Sequence, residues 1–211
     1  AIAHKKRLIE LLEEQKTILI NQAVTKGLNP NAPMKDSGIK WIGEIPTHWE
    51  VKRLKFVAKI ESGQSPHEST YNQEGLGTTL VNGPVEFSNG ELGKTIETKW
   101  TTNPKKIISK GTILFCLRGS TTGRLNIAHK NLSIGRGVGG IIFKNMKKYH
   151  YFLILNLSKR VQETFRGSTF PSITSQQLGN YFIPIVPENE QNKISIYLDN
   201  LETHFFATYN R

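Results

Sequence analysis

One cysteine, two methionines and 17 acidic residues are little for a chain of 211 residues, and each scarcity excludes something. A lone Cys116 cannot close an internal disulfide. Its setting in the apolar run TILFCL makes it a buried small hydrophobe suited to a reducing cytoplasm. No apolar run approaches the ~18 residues of a membrane span. The opening AIAHKKRLIELLEEQ has no signal-peptide layout. It lacks an initiator Met and starts inside a helical pattern, so the chain reads as a piece of something longer.

Catalytic patterns are missing too. The six His residues show neither HExxH nor a Cys/His cluster, which gives no metal site. His67-Glu68 lacks the spacing and paired cysteines of a zinc deaminase. There is no G-x-S-x-G elbow, and no carboxylate pair stands out for acid–base work. NPK at 103 to 105 is not the N-P-P-aromatic motif of amino-methyltransferases. GRGVGG (135 to 140) fits G-x-G-x-x-G, but IIFK follows it where a helix is needed, and no acid appears before Glu163. It reads as a glycine-rich strand onto which other backbone packs closely. SNGELGKT (88 to 95) has Ser88 where a phosphate loop needs its first glycine. The chain is not expected to be an enzyme or to hold a cofactor.

What is abundant is positive charge, +11 overall. Residues 98 to 162 contain 13 basic residues and no acidic one. A solvated face normally mixes signs, so a one-sign field this long points to a polyanionic partner, with nucleic acid preferred. No basic amphipathic helix of membrane type is evident.

The spacing predicts a helix over 3–26. Leu8, Leu12, Gln15, Leu19 and Gln22 alternate at four and three residues, and Leu11 and Ile18 widen the stripe. Gly27 ends it, and Pro30 and Pro33 prevent continuation. NPNAPMKDSG (29 to 38) is a linker, and Trp41, Ile45 and Trp49 follow as apolar anchors. The middle reads as short strands: TTLVNG, TILFCLRG, LNIAHK, GGIIFK and YFIPIV. One helix, roughly Lys148 to Arg166, interrupts them and stops at Gly167. A last helix begins after Pro187, with Ile194, Leu198, Leu201 and Phe205 on one face. Neither terminal helix can bury its stripe alone, so the two are expected to pair antiparallel or join a dimeric bundle. The expected class is mixed α+β: a β-rich globular domain flanked by long helices that form an antiparallel coiled coil or helical bundle.

MKDSGIKWIGEIPTHWEVKRLKFVAKIESGQSP (34 to 66) resembles the opening of a target recognition domain in the DNA specificity (S) subunits of type I restriction-modification systems. The preceding KKRLIELLEEQKTILINQAVTKGLNPN resembles that family's central helix. SKGTILFCLRGSTTGRLNIA (109 to 128), IGRGVGGIIF (134 to 143) and FPSITSQQLGNYFIPIVPENEQNKISIYLD (170 to 199) are similar to its later segments, in the same order. Val186-Pro187 replaces the usual double proline. The resemblance implies a central-helix end (1–28), a linker and domain entry (29–47), a recognition domain (48–186) and a truncated C-terminal helix (187–211). It implies a non-catalytic cytoplasmic reader of one half of a bipartite duplex DNA site. Such a reader holds methyltransferase subunits, which bind S-adenosylmethionine, and through them restriction subunits. The chain is then half of a two-domain subunit, or a half subunit that forms a homodimer. The competing reading is a basic helical scaffold with only nonspecific nucleic-acid binding.

Base-reading residues vary in that family, so physical reasoning must choose them. Loops carrying donors and small neighbours are favoured, because backbone must approach the duplex. RGSTTGR offers Arg118, Ser120, Thr121, Thr122 and Arg124, with Arg124 the leading candidate; its structural alternative is an internal pair with Glu86 or Glu97. SGQSPHESTYN offers Gln64, Ser65, His67 and Tyr71. GSTFPS offers Ser168, Thr169 and Phe170, the last a groove wedge or a core residue. Arg136 is a candidate phosphate contact, and Lys94, Lys105 and Lys106 are phosphate contacts or solvated charge.

Overall fold

A computed structural model of the chain describes residues 2–90 and 92–209, without the side chains of residues 2–4 and 206–209. Ala1, Asn210 and Arg211, the outer ends of the expected helical segments, lie outside the described residues. In chain order the elements are α1 (Ile2–Lys26), β1 (Met34–Asp36), β2 (Glu44–Pro46), β3 (Glu50–Arg53), β4 (Ala58–Ser62), β5 (Tyr71–Asn72), β6 (Thr78–Val81), β7 (Trp100–Thr101) and β8 (Ile107–Ile108). There follow β9 (Ile113–Cys116), β10 (Leu125–Ile127), β11 (Leu132–Ile134), β12 (Val138–Phe143), α2 (Lys148–Thr164), α3 (Ser175–Gly179), β13 (Phe182–Ile185) and α4 (Glu188–Tyr209). The expected mixed class and all five expected strand segments are present.

The chain forms two compact units. The first comprises residues up to Lys52, Lys147–Asn156, and Ile183 onward; the second comprises Arg53–Met146 and Leu157–Phe182. The first unit thus takes in residues 48–52, 147–156 and 183–186 together with the terminal helices.

In the first unit the C-terminal third of α1 packs on α4. Ile194, Leu198, Leu201 and Phe205 are buried, as expected of their stripe. The stripe of α1 needs correction. Leu8 is 56% exposed, Leu11 and Ile18 are exposed, and Leu12 and Leu19 are half-buried. Burial falls on Ile20, Ala23 and Val24 instead. A straight helix at 3.6 residues per turn carries a heptad stripe off its contact line, and here the line runs through Leu12, Lys16, Ile20 and Ala23. The ends are fixed by polar contacts. Trp49, fully buried, donates from Nε1 to Glu190 Oε2 (3.0 Å), and His48 Nε2 lies 2.6 Å from Glu190 Oε1. Gly27, at φ +78°, closes α1 against the Trp49 ring. Lys148 bridges Asp199 (2.6 Å) and Glu202 of α4.

His150, in the first turn of α2, is buried and accepts the Lys147 N–H at Nδ1 (3.0 Å). Burial, reinforced by the Lys147 charge, lowers its pKa to about 4. The unfolded chain, with a histidine near 6.5, takes up that proton first as pH falls. Stability from this residue is therefore whole above about pH 6.5 and drains away as pH drops towards 4, by about 2–3 kcal/mol at most. Read from denaturant midpoints, wild type should lose about 2–3 kcal/mol relative to the non-titrating His150→Gln as pH falls from 6.5 to 4. Parallel curves across that window would show that His150 is not the titrating group.

The second unit holds two sheets. One is antiparallel, in the order β10-β9-β12-β4. The other is in the order β5-β7-β6-β11-β8, with β6 and β11 parallel. β9 is buried along its whole length, which is why ILFC is continuously apolar rather than alternating. Val81, Phe87, Ile108, Leu114, Cys116, Ala128, Leu132, Ile134 and Val138 form its core. Burial raises the Cys116 thiol to about 11, so it stays protonated and inert.

Candidate nucleic-acid interface

The registers of the four-stranded sheet decide which loops meet. β12 starts where β9 and β4 end: Val138 pairs with Cys116, and Gly139 with Ser62. Leu125, the first residue of β10, pairs with Phe115 near the end of β9. So RGSTTGR, the GRG before β12, and the SGQ after β4 all leave the sheet at one end. Backbone hydrogen bonds tie them together. Leu117 donates to Gly137 (2.8 Å), Gly63 to Val138 (2.9 Å) and Gln64 to Ile134 (2.9 Å). The Arg136 N–H donates to Ser65 Oγ at 3.1 Å.

Glycine makes this closeness possible. A Cβ on Gly63 would lie 2.1 Å from the Gly135 carbonyl oxygen, and one on Gly137 would lie 2.6 Å from that of Asn82. The glycine-rich run thus serves backbone packing, as expected.

A fourth segment joins the same end. Residues 171–173, between α2 and α3, run antiparallel beside 117–119. The Gly119 N–H donates to the Pro171 carbonyl (2.9 Å), Ile173 donates to Leu117 (2.9 Å), and Arg118 faces Ser172 across an isolated bridge. Ser62 Oγ and Ser175 Oγ, 2.6 Å apart, pin the start of α3 to β4. Four segments far apart in sequence are thereby brought onto one surface.

That surface does not present every residue expected of it. Arg118, Ser120, Gln64, Arg136, Ser168, Thr169 and Phe170 are exposed. Arg118 and Arg136 have no ion-pair partner among the described residues. Phe170 is 86% exposed, so it is not a core residue. Ser65 is half-buried and spent on the backbone of Arg136. Thr122 is buried, donating to the carbonyls of Gly119 (2.8 Å) and Pro171 (3.0 Å), so it braces the loops instead of facing outward. Thr121 is half-buried beside the Cys116 thiol.

Arg124 is the main correction. Its Nη2 donates to the Phe87 carbonyl (3.2 Å) and to Asn89 Oδ1 (3.0 Å), with longer contacts to the Pro84 and Ser88 carbonyls. A rigid fork of donors suits a cluster of backbone oxygens as well as it suits a base. The guanidinium therefore staples the 84–89 turn to the sheet. Its partners are carbonyls, not the acids Glu86 or Glu97. Glu86 is itself buried, accepting the N–H groups of Asn82 (3.3 Å) and Gly83 (3.2 Å).

The remaining candidates lie elsewhere or are engaged. Lys106 pairs with Glu61 at 2.7 Å, and Glu61 also meets Lys59. These bonds, that of Lys106 foremost, hold the Glu61 carboxyl below its usual range. Lys94 bridges Ile127 at the opposite end of β10, away from the loops. Lys105 is exposed beside β8. His67 caps a turn by accepting the Ser69 N–H at Nδ1 (3.3 Å). Tyr71 donates its hydroxyl to Pro66 (3.0 Å) with Lys99 over its ring. Lys130 and His129 both clamp Glu97, holding its carboxyl near pH 2. The sequence reading missed Asn82 and the 84–89 turn, whose only local signal was the NGP tripeptide.

A scan against family descriptions matches residues 46–210 to the type I restriction modification DNA specificity domain. Among curated proteins, the chain is 34% identical over 192 residues to a Methanocaldococcus jannaschii protein provisionally named type I restriction enzyme MjaX specificity subunit. That match covers 89% of this chain and 44% of the relative. It is 31% identical over 174 residues to the MjaIX specificity subunit of the same organism, covering 76% of this chain and 40% of the relative. Among solved structures, an HsdS subunit from Thermoanaerobacter tengcongensis superposes with a TM-score of 0.69 at 27% identity, covering 98% of this chain and 50% of that one. A chain from a type I R-M system, described for its complex assembly and conformational transition, gives a TM-score of 0.70 at 28% identity over 99% and 50%. The chain spans about half the length of the relatives it matches. On the strength of the family match and of loops gathered at one end of a basic β domain, this chain belongs to the type I restriction modification DNA specificity domain family.

Proposed function

We propose that the second unit reads one half of a bipartite duplex DNA site through the loop end of its four-stranded sheet. One observation supports this above others: Arg118 and Arg136 stand exposed and unpaired among the described residues, on loops braced by backbone bonds, within a stretch free of acids. The unit carries no chemistry of its own. Methylation, and the S-adenosylmethionine that supplies the methyl group, belong to methyltransferase subunits seated on the helices. The uncovered face of α1, with Leu8, Leu11 and Ile18, suits that seat or a second copy of the chain. Restriction subunits then join through the methyltransferases. The setting is the cytoplasm.

Selection of duplexes from a randomised pool, followed by titration across a salt series, tests this reading. A preferred duplex should emerge. Arg118→Ala and Arg136→Ala should each weaken it by about 1–3 kcal/mol where the side chain meets a base. A phosphate contact would instead weaken all duplexes alike and reduce the salt slope by about 1. Lys94→Ala, at the far end of β10, should change neither preference nor slope. Salt-sensitive binding without any preferred duplex would favour the nonspecific scaffold.

A further inference from the structure

We infer that Phe170 is a wedge that unstacks one base step of the bound duplex, so that part of the target is recognised through its ease of distortion. This rests on the DNA reading above and specifies how one side chain takes part in it. An 86% exposed phenylalanine at a tip is a poor choice for water. Here its backbone is held while its ring is free. The next residue is Pro171, whose ring fixes its own φ. The Pro171 carbonyl accepts both the Gly119 N–H (2.9 Å) and the Thr122 hydroxyl (3.0 Å). Behind it, the Ser168 N–H closes a turn onto the Phe165 carbonyl (2.9 Å). The ring therefore projects from a fixed point and pays little ordering entropy on insertion.

The surroundings match a duplex rather than a protein groove. Ser168, Thr169 and Ser120 are small exposed donors able to touch sugar and phosphate on either side, and Arg118 and Arg166 add positive charge. No Asp or Glu occurs between Glu163 and Glu188, and Glu163 is paired with Arg160 (2.9 Å). An apolar wedge flanked by cations is the combination that parts and kinks base steps. Pyrimidine–purine steps yield most easily, so the preferred duplex should carry one at a fixed place.

The test uses the chain alone and the duplex it selects from a randomised pool, with 2-aminopurine substituted at successive adenines. Binding of wild type should brighten the probe at one position. Phe170→Ala should abolish the brightening and weaken binding about tenfold or more, with the salt slope unchanged, while Phe170→Trp retains both. A preferred duplex that brightens nowhere overturns the wedge alone, as does a Phe170→Ala chain that still brightens it or binds it as tightly as wild type. A pool that yields no preferred duplex overturns the DNA reading and the wedge with it.

Discussion

Gly63→Ala is expected to cost at least about 3 kcal/mol of stability and to scatter the loop surface with it. The added methyl would sit 2.1 Å from one backbone oxygen and 2.8 Å from a second, those of Gly135 and Ile134. Neither can turn aside as a side chain could, so β4 and the strand entry at 134–138 must separate. The Gly63 and Gln64 N–H bonds to Val138 and Ile134 are lost in that separation. Gly83→Ala is the control. A Cβ there meets nothing within 4 Å, and its φ of −176° is ordinary extended backbone. Denaturant midpoints of the two variants should differ by most of the predicted loss. Equal midpoints would mean that the tight crossing of 63 over 135 is not a constraint on the fold.

Leu198→Asp should be about as damaging, at roughly 3–5 kcal/mol, because it places an uncompensated carboxylate in the packed face of α4. Leu198 is only 1% exposed. Leu12→Asp should cost under about 1 kcal/mol to the isolated chain, since a half-buried side chain can turn its head to water. By sequence the two leucines hold equivalent places on the two seams. Thermal melts of the two single variants separate the views: comparable losses would mean that α1 and α4 meet along the heptad stripe after all.

That difference shows where sequence was legible. The helices over 3–26 and from 188 onward, the interrupting helix at 148, and every expected strand could be found because each has a periodicity or a breaker of its own. Trp49 and Ile45 were recognisable as anchors by size alone. Which face of α1 is covered was not legible, because a neighbour decides it, and the neighbours are α4 and β2. The gathering of four segments at one end of a sheet follows from strand register, which no local pattern specifies. Arg124 shows the limit most clearly. Its sequence setting, a basic residue after glycine in an acid-free stretch, is the same as that of Arg136. Only the 84–89 carbonyls, supplied from 35 to 40 residues earlier in the chain, turn one inward and leave the other outside. Phe170 resisted the same way, since an aromatic flanked by Thr and Pro is equally at home in a core or on a tip.

The bonds that hold the loop surface together are made by backbone atoms and by Thr122, Arg124, Ser65, Ser62 and Ser175. Among the described residues, none is made by the side chains of Gln64, Arg118, Ser120, Arg136, Ser168, Thr169 or Phe170. These positions can therefore drift, singly or together, without a folding intermediary to veto the change. If the loop surface reads DNA as proposed above, its preference has here a panel of substitutions nearly free of selection for stability. A library randomised at those seven positions should remain mostly folded while its members part company over the duplexes they hold.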